Sequence, residues 1–224
     1  MRMKQIVITV TLIMSFFFCR SQNRIGIFAG PQTTTVRYLV NDVKQQAQYK
    51  FGFHAGVGLK IPFDNHLYFS PSAFYSLKGY KVKFTQRAFP PDTTATDNNT
   101  SIHTFELAFL LQFDFGDKPA HFFIKAGPSL DFQLAGKEKY HLKNGTLVTH
   151  AMPYGFAQYG HYSASLLTQL GFETSGGSFI TAQYNLGLAS LNNADNGPVI
   201  KHRTIGLSIG TYVNKKKKAS NSGN

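Results

Sequence analysis

The chain has 224 residues, of which 42% are hydrophobic and 14% aromatic, with one cysteine and no tryptophan. Only 15% are charged, against about 25% in ordinary soluble domains; that is too few to coat a soluble sandwich of this size and suits an outside that faces hydrocarbon. Of the 23 Lys+Arg behind the net charge of +12, Arg2, Lys4, Arg20 and the run Lys215, Lys216, Lys217, Lys218 account for seven, leaving 16 against 11 Asp+Glu, which excludes a nucleic-acid-binding composition.

Arg2 and Lys4 precede an apolar core, residues 6–18, and Cys19-Arg20-Ser21 places small residues where a signal peptidase reads. Residues 1–21 are therefore expected to be a secretion signal, with a core too short to span as a mature helix. A lipoprotein reading of Cys19 is poor, because Phe18 stands where such sites take Gly or Ala. Cleavage after Ser21 leaves an exported chain without cysteine and hence without disulfides. No later run of 18 apolar residues predicts a transmembrane helix.

Alternation of period two predicts strands along the rest. The first covers residues 24 to about 35, and the second residues 49–61. In the second, Tyr49, Phe51, Phe53, Ala55, Val57, Leu59 and Ile61 alternate with Lys50, Gly52, His54, Gly56, Gly58 and Lys60. The third covers 66–84 and is followed by a Pro/Thr/Asp-rich loop, 85–101. The fourth and fifth form a hairpin over 104–135. Phe105, Leu107, Phe109, Leu111, Phe113 and Phe115 line one face of its first arm, and Gly116-Asp117-Lys118-Pro119 turns the chain. A loop over 136–159 leads to strands six (160–173), seven (178–190) and eight (200–213). Pro71 and Pro128 remove ladder donors within strands, and a bulge is expected at each.

Eight strands joined alternately by four-residue turns and long loops are the pattern of an outer-membrane barrel. Aromatic residues gather at both ends of the strands: Phe63, Phe69, Phe113, Phe115, Phe122 and Phe172 toward the turns, and Tyr49, Phe51, Tyr80, Phe105, Phe132 and Tyr162 toward the loops, as two interfacial girdles would. The expected fold is all-β, an eight-stranded antiparallel up-and-down transmembrane β-barrel over 22–213, with a basic periplasmic tail over 214–224. A solvated tail is the simple reading of its lysines, and contact with an anionic surface the other.

Five segments carry a resemblance. Phe69-Ser-Pro-Ser-Ala-Phe-Tyr-Ser-Leu-Lys-Gly79, Phe105-Glu-Leu-Ala-Phe-Leu-Leu-Gln-Phe113, Phe123-Ile-Lys-Ala-Gly-Pro-Ser-Leu130, Tyr184-Asn-Leu-Gly-Leu188 and Ile205-Gly-Leu-Ser-Ile-Gly210 follow in an order and spacing that resembles the porin-like, PorT-like outer-membrane barrels of Bacteroidetes. The resemblance implies eight strands with a periplasmic N-terminus and no particular chemistry. It also implies, as one alternative, an accessory role in type IX protein secretion. Such barrels commonly end on an aromatic residue read by the assembly machinery, whereas Tyr212-Val213 is followed here by eleven more residues.

The polar faces of the strands point Lys50, Lys60, Lys78, Glu106, Asp114, Lys125 and Asp131 into the lumen. An eight-stranded barrel is filled by its own side chains, and buried charges require partners, so an ion-pair network is expected there, with a proton or small-ion path as the sharper reading. The inward glycines Gly52, Gly56, Gly58, Gly206 and Gly210 relieve crowding. His161-Tyr162-Ser163 is the one catalytic look-alike. It resembles the His-x-Ser of outer-membrane lipid A deacylases but lacks the Asn that follows, because Ala164 stands there. His141, His150 and His161 fit no metal template, and Asp92-Thr93-Thr94 resembles an O-glycosylation site of an exposed loop.

The expected protein is thus a monomeric outer-membrane barrel with both termini periplasmic, surrounded by outer-membrane lipid and inserted by the barrel assembly machinery. It has no nucleic-acid partner, cofactor, metal or catalytic residue, and acts structurally or through its outer loops. Secretion-system partners, a lipid-modifying enzyme and a soluble barrel with its apolar face turned inward are the alternatives.

Overall fold

Residues 23–213 are described by the computed structural model; the secretion signal expected over 1–21 and the basic tail expected over 214–224 lie outside the described residues. Extended chain forms β1 (Arg24–Val40), β2 (Val43–Lys44), β3 (Gln46–Asp64), β4 (Leu67–Lys83), β5 (Asp97–Phe115), β6 (His121–His141), β7 (Leu147–Ala151), β8 (Tyr162–Glu173), β9 (Ser178–Gly187) and β10 (Val199–Val213). Eight of these close a ring, β1-β3-β4-β5-β6-β8-β9-β10 and back to β1, every neighbour antiparallel. The short β2 folds back on the end of β1 and β7 on the end of β6, outside the ring. Closure satisfies the backbone where no water can, since an open edge in hydrocarbon would cost several kcal/mol per unpaired amide.

The apolar side of each strand faces outward. Phe53 is 50% exposed and Phe109 42%, while Thr104, Glu106, Ala108, Leu110, Gln112 and Asp114 alternate with the outward phenylalanines of β5 and are buried. On the loop side, Phe105, Phe132 and Tyr162 form a continuous aromatic row across β5, β6 and β8, with ring centroids 6.3 and 5.5 Å apart. On the turn side, Phe122 stacks on Phe172 at 5.0 Å. Tyr80 belongs to neither girdle: it is fully buried inside the barrel, because β4 keeps its phase past Lys78.

The strands run beyond the expected boundaries on the loop side. β4 and β5 pair as far as Lys83↔Asp97, and β5 and β6 as far as Asn99↔Lys139, within what the sequence suggests are loops over 85–101 and 136–159. There the polarity of the wall inverts. Val36, Tyr38, Val40, Tyr80, Val82, Ile102 and Ile200 turn inward into one apolar cluster, while Arg37, Lys81, Lys83, Lys137, Lys139 and Arg203 are exposed. The outward apolar run of β4 from Leu67 to Leu77 covers about 33 Å at ~3.3 Å per residue, or about 23 Å along the normal for a 45° tilt. That matches the apolar band of roughly 25 Å on outer-membrane barrels.

No bulge occurs at Pro71 or Pro128. The register is constant past Pro71 from Gly58↔Ser72 to Ile61↔Phe69, and past Pro128 from Ala108↔Ser129 to Leu111↔Ala126. The missing N–H leaves an unpaired interval on one side of each proline without displacing the strand, since the other side keeps its ladder through Pro71↔Phe109 and Pro128↔Leu166. The irregularities lie between Tyr49 and His54, between Pro62 and Asp64, and at His103/Thr104. At Pro128 the backbones close in instead: a Cβ on the preceding Gly127 would sit 2.1 Å from the Phe109 carbonyl oxygen. Gly127→Ala must push β5 and β6 apart and is expected to lose about 1–3 kcal/mol, read as a lower urea midpoint in detergent. Gly58→Ala, whose Cβ would meet nothing closer than 3.4 Å, should leave the midpoint unchanged.

Candidate functional site: the lumen and its outer cap

Because side chains of one strand alternate, the inward positions stack as layers from the turns upward. The lowest layer gathers Lys60, whose Nζ lies 2.6 Å from Asp114 Oδ2 and 3.0 Å from Glu173 Oε2. Arg24 pairs with the same Glu173 at 2.5 Å, and His121 Nε2 approaches Asp114 Oδ2 at 3.0 Å. Gln112 donates to the other oxygen of Asp114 at 2.7 Å. The Tyr212 ring carries the Arg24 guanidinium at 4.2 Å, and Tyr68 carries the Lys60 ammonium at 4.4 Å.

Above it lies an aromatic filling. Phe74, Leu110 and Leu167 pack together on one side, Phe123, Phe179 and Tyr212 on the other, with Phe28 between them. The glycines opposite make the room: Cβ atoms on Gly171 and Gly210 would lie 2.4 Å from the rings of Phe123 and Phe179. Among the described residues no carboxylate pairs with Lys125, which stands here 5.1 Å from the Phe123 ring centroid and 5.7 Å from that of Phe179. It borders a cavity of about 20 Å³, room for one water. The third layer centres on Lys78, which reaches Glu106 at 2.9 Å and Asp131 at 2.8 Å. Asn185 donates to Glu106, Gln32 to Ser76, and His54 shares a 2.6 Å hydrogen bond with Ser208.

Six of the seven charged residues expected in the lumen are there, and Lys50 is not. The irregular pairing between Tyr49 and His54 carries its side chain across Gly79 on the outer face, where its ammonium donates to Asn99 Oδ1 (2.7 Å), Ser101 Oγ (2.6 Å) and the Thr100 carbonyl (3.0 Å). Sequence reasoning missed Arg24 and Glu173. Both continue the inward phase of strands already recognised, so period two extended to the strand ends finds them.

The mouth is covered by loop residues. Met152, Tyr159 and Leu191 join the apolar cluster, with Tyr154, Phe84 and Ala88 at its margin. The Tyr38 hydroxyl donates to the Pro90 carbonyl at 3.0 Å. Tyr159 donates to Glu138, which also accepts from Asn98 at 2.9 Å. Burial holds the Tyr159 phenol well above its usual range, so it stays a donor. Asp92 lies in the loop before β5. Its carboxylate accepts from the Thr94 amide and hydroxyl, both at 2.7 Å, and those bonds hold it below the ordinary carboxylate range.

The catalytic look-alike comes apart in space. Alternation with Ser163 would turn His161 inward, but it is exposed and its ring lies 5.2 Å from that of Tyr154. Ser163 turns to the lumen, where its hydroxyl lies 3.0 Å from the Gln133 amide and 3.4 Å from Asp131. His141 pairs with Asp97 and His150 faces Glu138. Among the described residues no three His, Cys, Asp or Glu side chains converge as a metal site would require.

A family described as outer membrane protein β-barrel domain matches residues 2–193. No curated protein sequence matches the chain. Among solved structures, Ail, the attachment invasion locus protein of Yersinia pestis, is 14% identical with a TM-score of 0.46, over 85% of this chain and 99% of its own. OprG of Pseudomonas aeruginosa is 12% identical with a TM-score of 0.46, over 86% of this chain and 97% of its own. Neisserial surface protein A is 11% identical with a TM-score of 0.39, over 83% and 96%.

Proposed function

This chain belongs to the outer-membrane protein β-barrel family, and from that premise we propose a non-conducting barrel whose work is structural or adhesive and is done by its outer end. The observation that carries this is the interior. Ion pairs fill it around Lys60 and Lys78, aromatic rings fill the level between, and an apolar cluster with loop residues covers the mouth. An ion crossing the aromatic level would have to shed its water in a space of about 20 Å³ between the rings and the buried Lys125, at large desolvation cost. What remains available to partners is the wall above the apolar band and the loops that cap it.

The orientation proposed here is taken from the alternation of short turns and long loops. An exported chain with eight crossings has both termini on the side of the short turns, which is the periplasm, with a signal over 1–21 and a basic tail over 214–224. We further take the barrel as a monomer in outer-membrane lipid, inserted by the barrel assembly machinery, with a structural rather than a catalytic role. An accessory part in type IX secretion, as in the PorT-like group of Bacteroidetes, is the second reading; it rests on the resemblance of the strand segments and predicts secreted proteins lost on deletion.

In planar bilayers the purified protein should give no steady conductance, and on intact cells a biotin reagent should label Lys143 while leaving Lys118 untouched. Regular ohmic steps would end the non-conducting reading. Labelling confined to Lys118 would reverse the orientation.

A further inference from the structure

The geometry points to a binding site for the phosphorylated headgroup of an outer-leaflet glycolipid on the outer face of β4, β5 and β6, just above the apolar band. Asn99 lies in register with Lys81 on one side and Lys139 on the other, and Ser101 with Gly79 and Lys137. Residues in register share a face, so Lys81, Lys137 and Lys139 surround two polar residues of β5, with Lys83 one step higher beside Asp97. Strands lie ~4.8 Å apart, which sets Lys81 and Lys139 about 10 Å from each other. A phosphate fits between two flexible ammonium groups at that separation.

Lys50 brings a fifth cation. It reaches the site because Gly79 has no side chain: a Cβ there would come within 2.8 Å of Lys50 Cδ. Its three bonds are to neutral oxygens, so its charge is not cancelled. Among the described residues no ion pair engages Lys81, Lys83, Lys137 or Lys139, and the one carboxylate beside them, Asp97, is taken by the His141 amide and ring. A mere solubilising surface would intersperse the two signs; elsewhere on the inverted level Arg37 of β1 and Arg203 of β10 also face out, and the largest grouping of cations is the one on β4 and β6 around Asn99 and Ser101.

The surface below selects the ligand class. Leu77, Phe105, Phe132 and Leu134 form the rim of the apolar band directly beneath the lysines, and Leu134 is 62% exposed. A molecule matched to both parts places acyl chains on the band and phosphate among the cations. The Asn99 amide and Ser101 hydroxyl keep donors free for sugar oxygens, which favours a phosphoglycolipid over a glycerophospholipid. The site's place in the outer leaflet rests on the loop orientation proposed above. Binding itself is measured in detergent, without sidedness, so it stands or falls separately.

The full-length protein in mild detergent is titrated with bisphosphorylated lipid A, its dephosphorylated form and phosphatidylglycerol, and the complexes are counted by native mass spectrometry. Bisphosphorylated lipid A should bind and weaken as salt rises, and dephosphorylated lipid A should not be retained. The variant Lys81→Gln/Lys83→Gln/Lys137→Gln/Lys139→Gln should lose roughly a hundredfold or more in affinity, several-fold for each surface cation, with unchanged heat-modifiable gel mobility. Lys118→Gln on the turn side should bind like the parent, and the fourfold Lys→Arg variant keeps binding and covers a failure of the first to fold. Unaltered affinity in the Gln variant, equal binding of the dephosphorylated lipid, or equal binding of phosphatidylglycerol would each overturn the assignment.

Discussion

Lys78→Met is expected to destabilise the barrel by about 3–5 kcal/mol, the range for removing one partner of a buried ion pair. Lys78 is 3% exposed and, among the described residues, is the only cation paired with Glu106 and Asp131, themselves 1% and 3% exposed. Those two carboxylates stand opposite one another in the β5–β6 register, so the substitution leaves two like charges facing across a ladder with no counter-ion. Asn185 and Ser163 each give one hydrogen bond and cannot offset two charges. The triple variant Lys78→Met/Glu106→Gln/Asp131→Asn removes every charge of the layer and should recover most of the loss, because a neutral layer owes no pairing. Urea midpoints in detergent, with heat-modifiable mobility as the mark of the folded barrel, measure both. A single variant as stable as the parent would show that Lys78 does not hold the layer together. A triple variant as unstable as the single one would place the cost in packing rather than in charge.

Much of this was legible in the sequence, and the parts that were not share a cause. Period two is set by the strand itself, so Phe53, Phe109 and the buried Glu106, Asp114 and Asp131 could be placed from alternation alone. Closure followed from the solvent. Alternation says which face a residue takes but not where the solvent outside changes. In β1 the outward apolar run stops after Ala29, yet the strand continues to Val40 with Val36, Tyr38 and Val40 now inward. A polarity inversion of that kind reads in sequence as the end of a strand. It is the reason the stretches 85–101 and 136–159 look wholly like loops. Lys50 fails for a different reason. One irregular pairing upsets its phase relative to β4, and nothing in the residues around Gly52 shows it beyond the glycine itself. The prolines erred in the opposite direction, since a lost donor can be absorbed as a gap in one ladder while the other holds the register.

The inversion also ties the interior to the surface. Below it, charged residues are inside, all but Lys125 of those in the lumen network paired, and the lipid-facing wall is apolar. Above it, apolar residues are inside and lysines face out. One barrel therefore meets two solvents, with its core chemistry exchanged at the level of Lys78 and Tyr80. The aromatic row of Phe105, Phe132 and Tyr162 lies at that same level, where a girdle belongs.

A lysine introduced on the outside should therefore cost an amount set by its depth. Phe109 lies midway along the outward run of β5 between Phe115 and Phe105, and Phe105 adjoins His103, the first polar outward residue. Phe109→Lys is expected to lose about 2–4 kcal/mol, as a cation does at the bilayer midplane, and Phe105→Lys only about 0–1 kcal/mol, as near the interface. Both residues are similarly exposed, at 42% and 38%, and Phe105 also gives up its contact with Phe132, so loss of ring packing works against the expected order and cannot produce it. The measurement is the urea midpoint of each variant folded into phosphatidylcholine vesicles. A soluble barrel presenting this face to water would tolerate both lysines alike, and one with the face turned inward would be ruined by either. Equal midpoints for the two variants would mean that the wall does not stand in hydrocarbon, whereas the depth dependence arises only from a lipid outside.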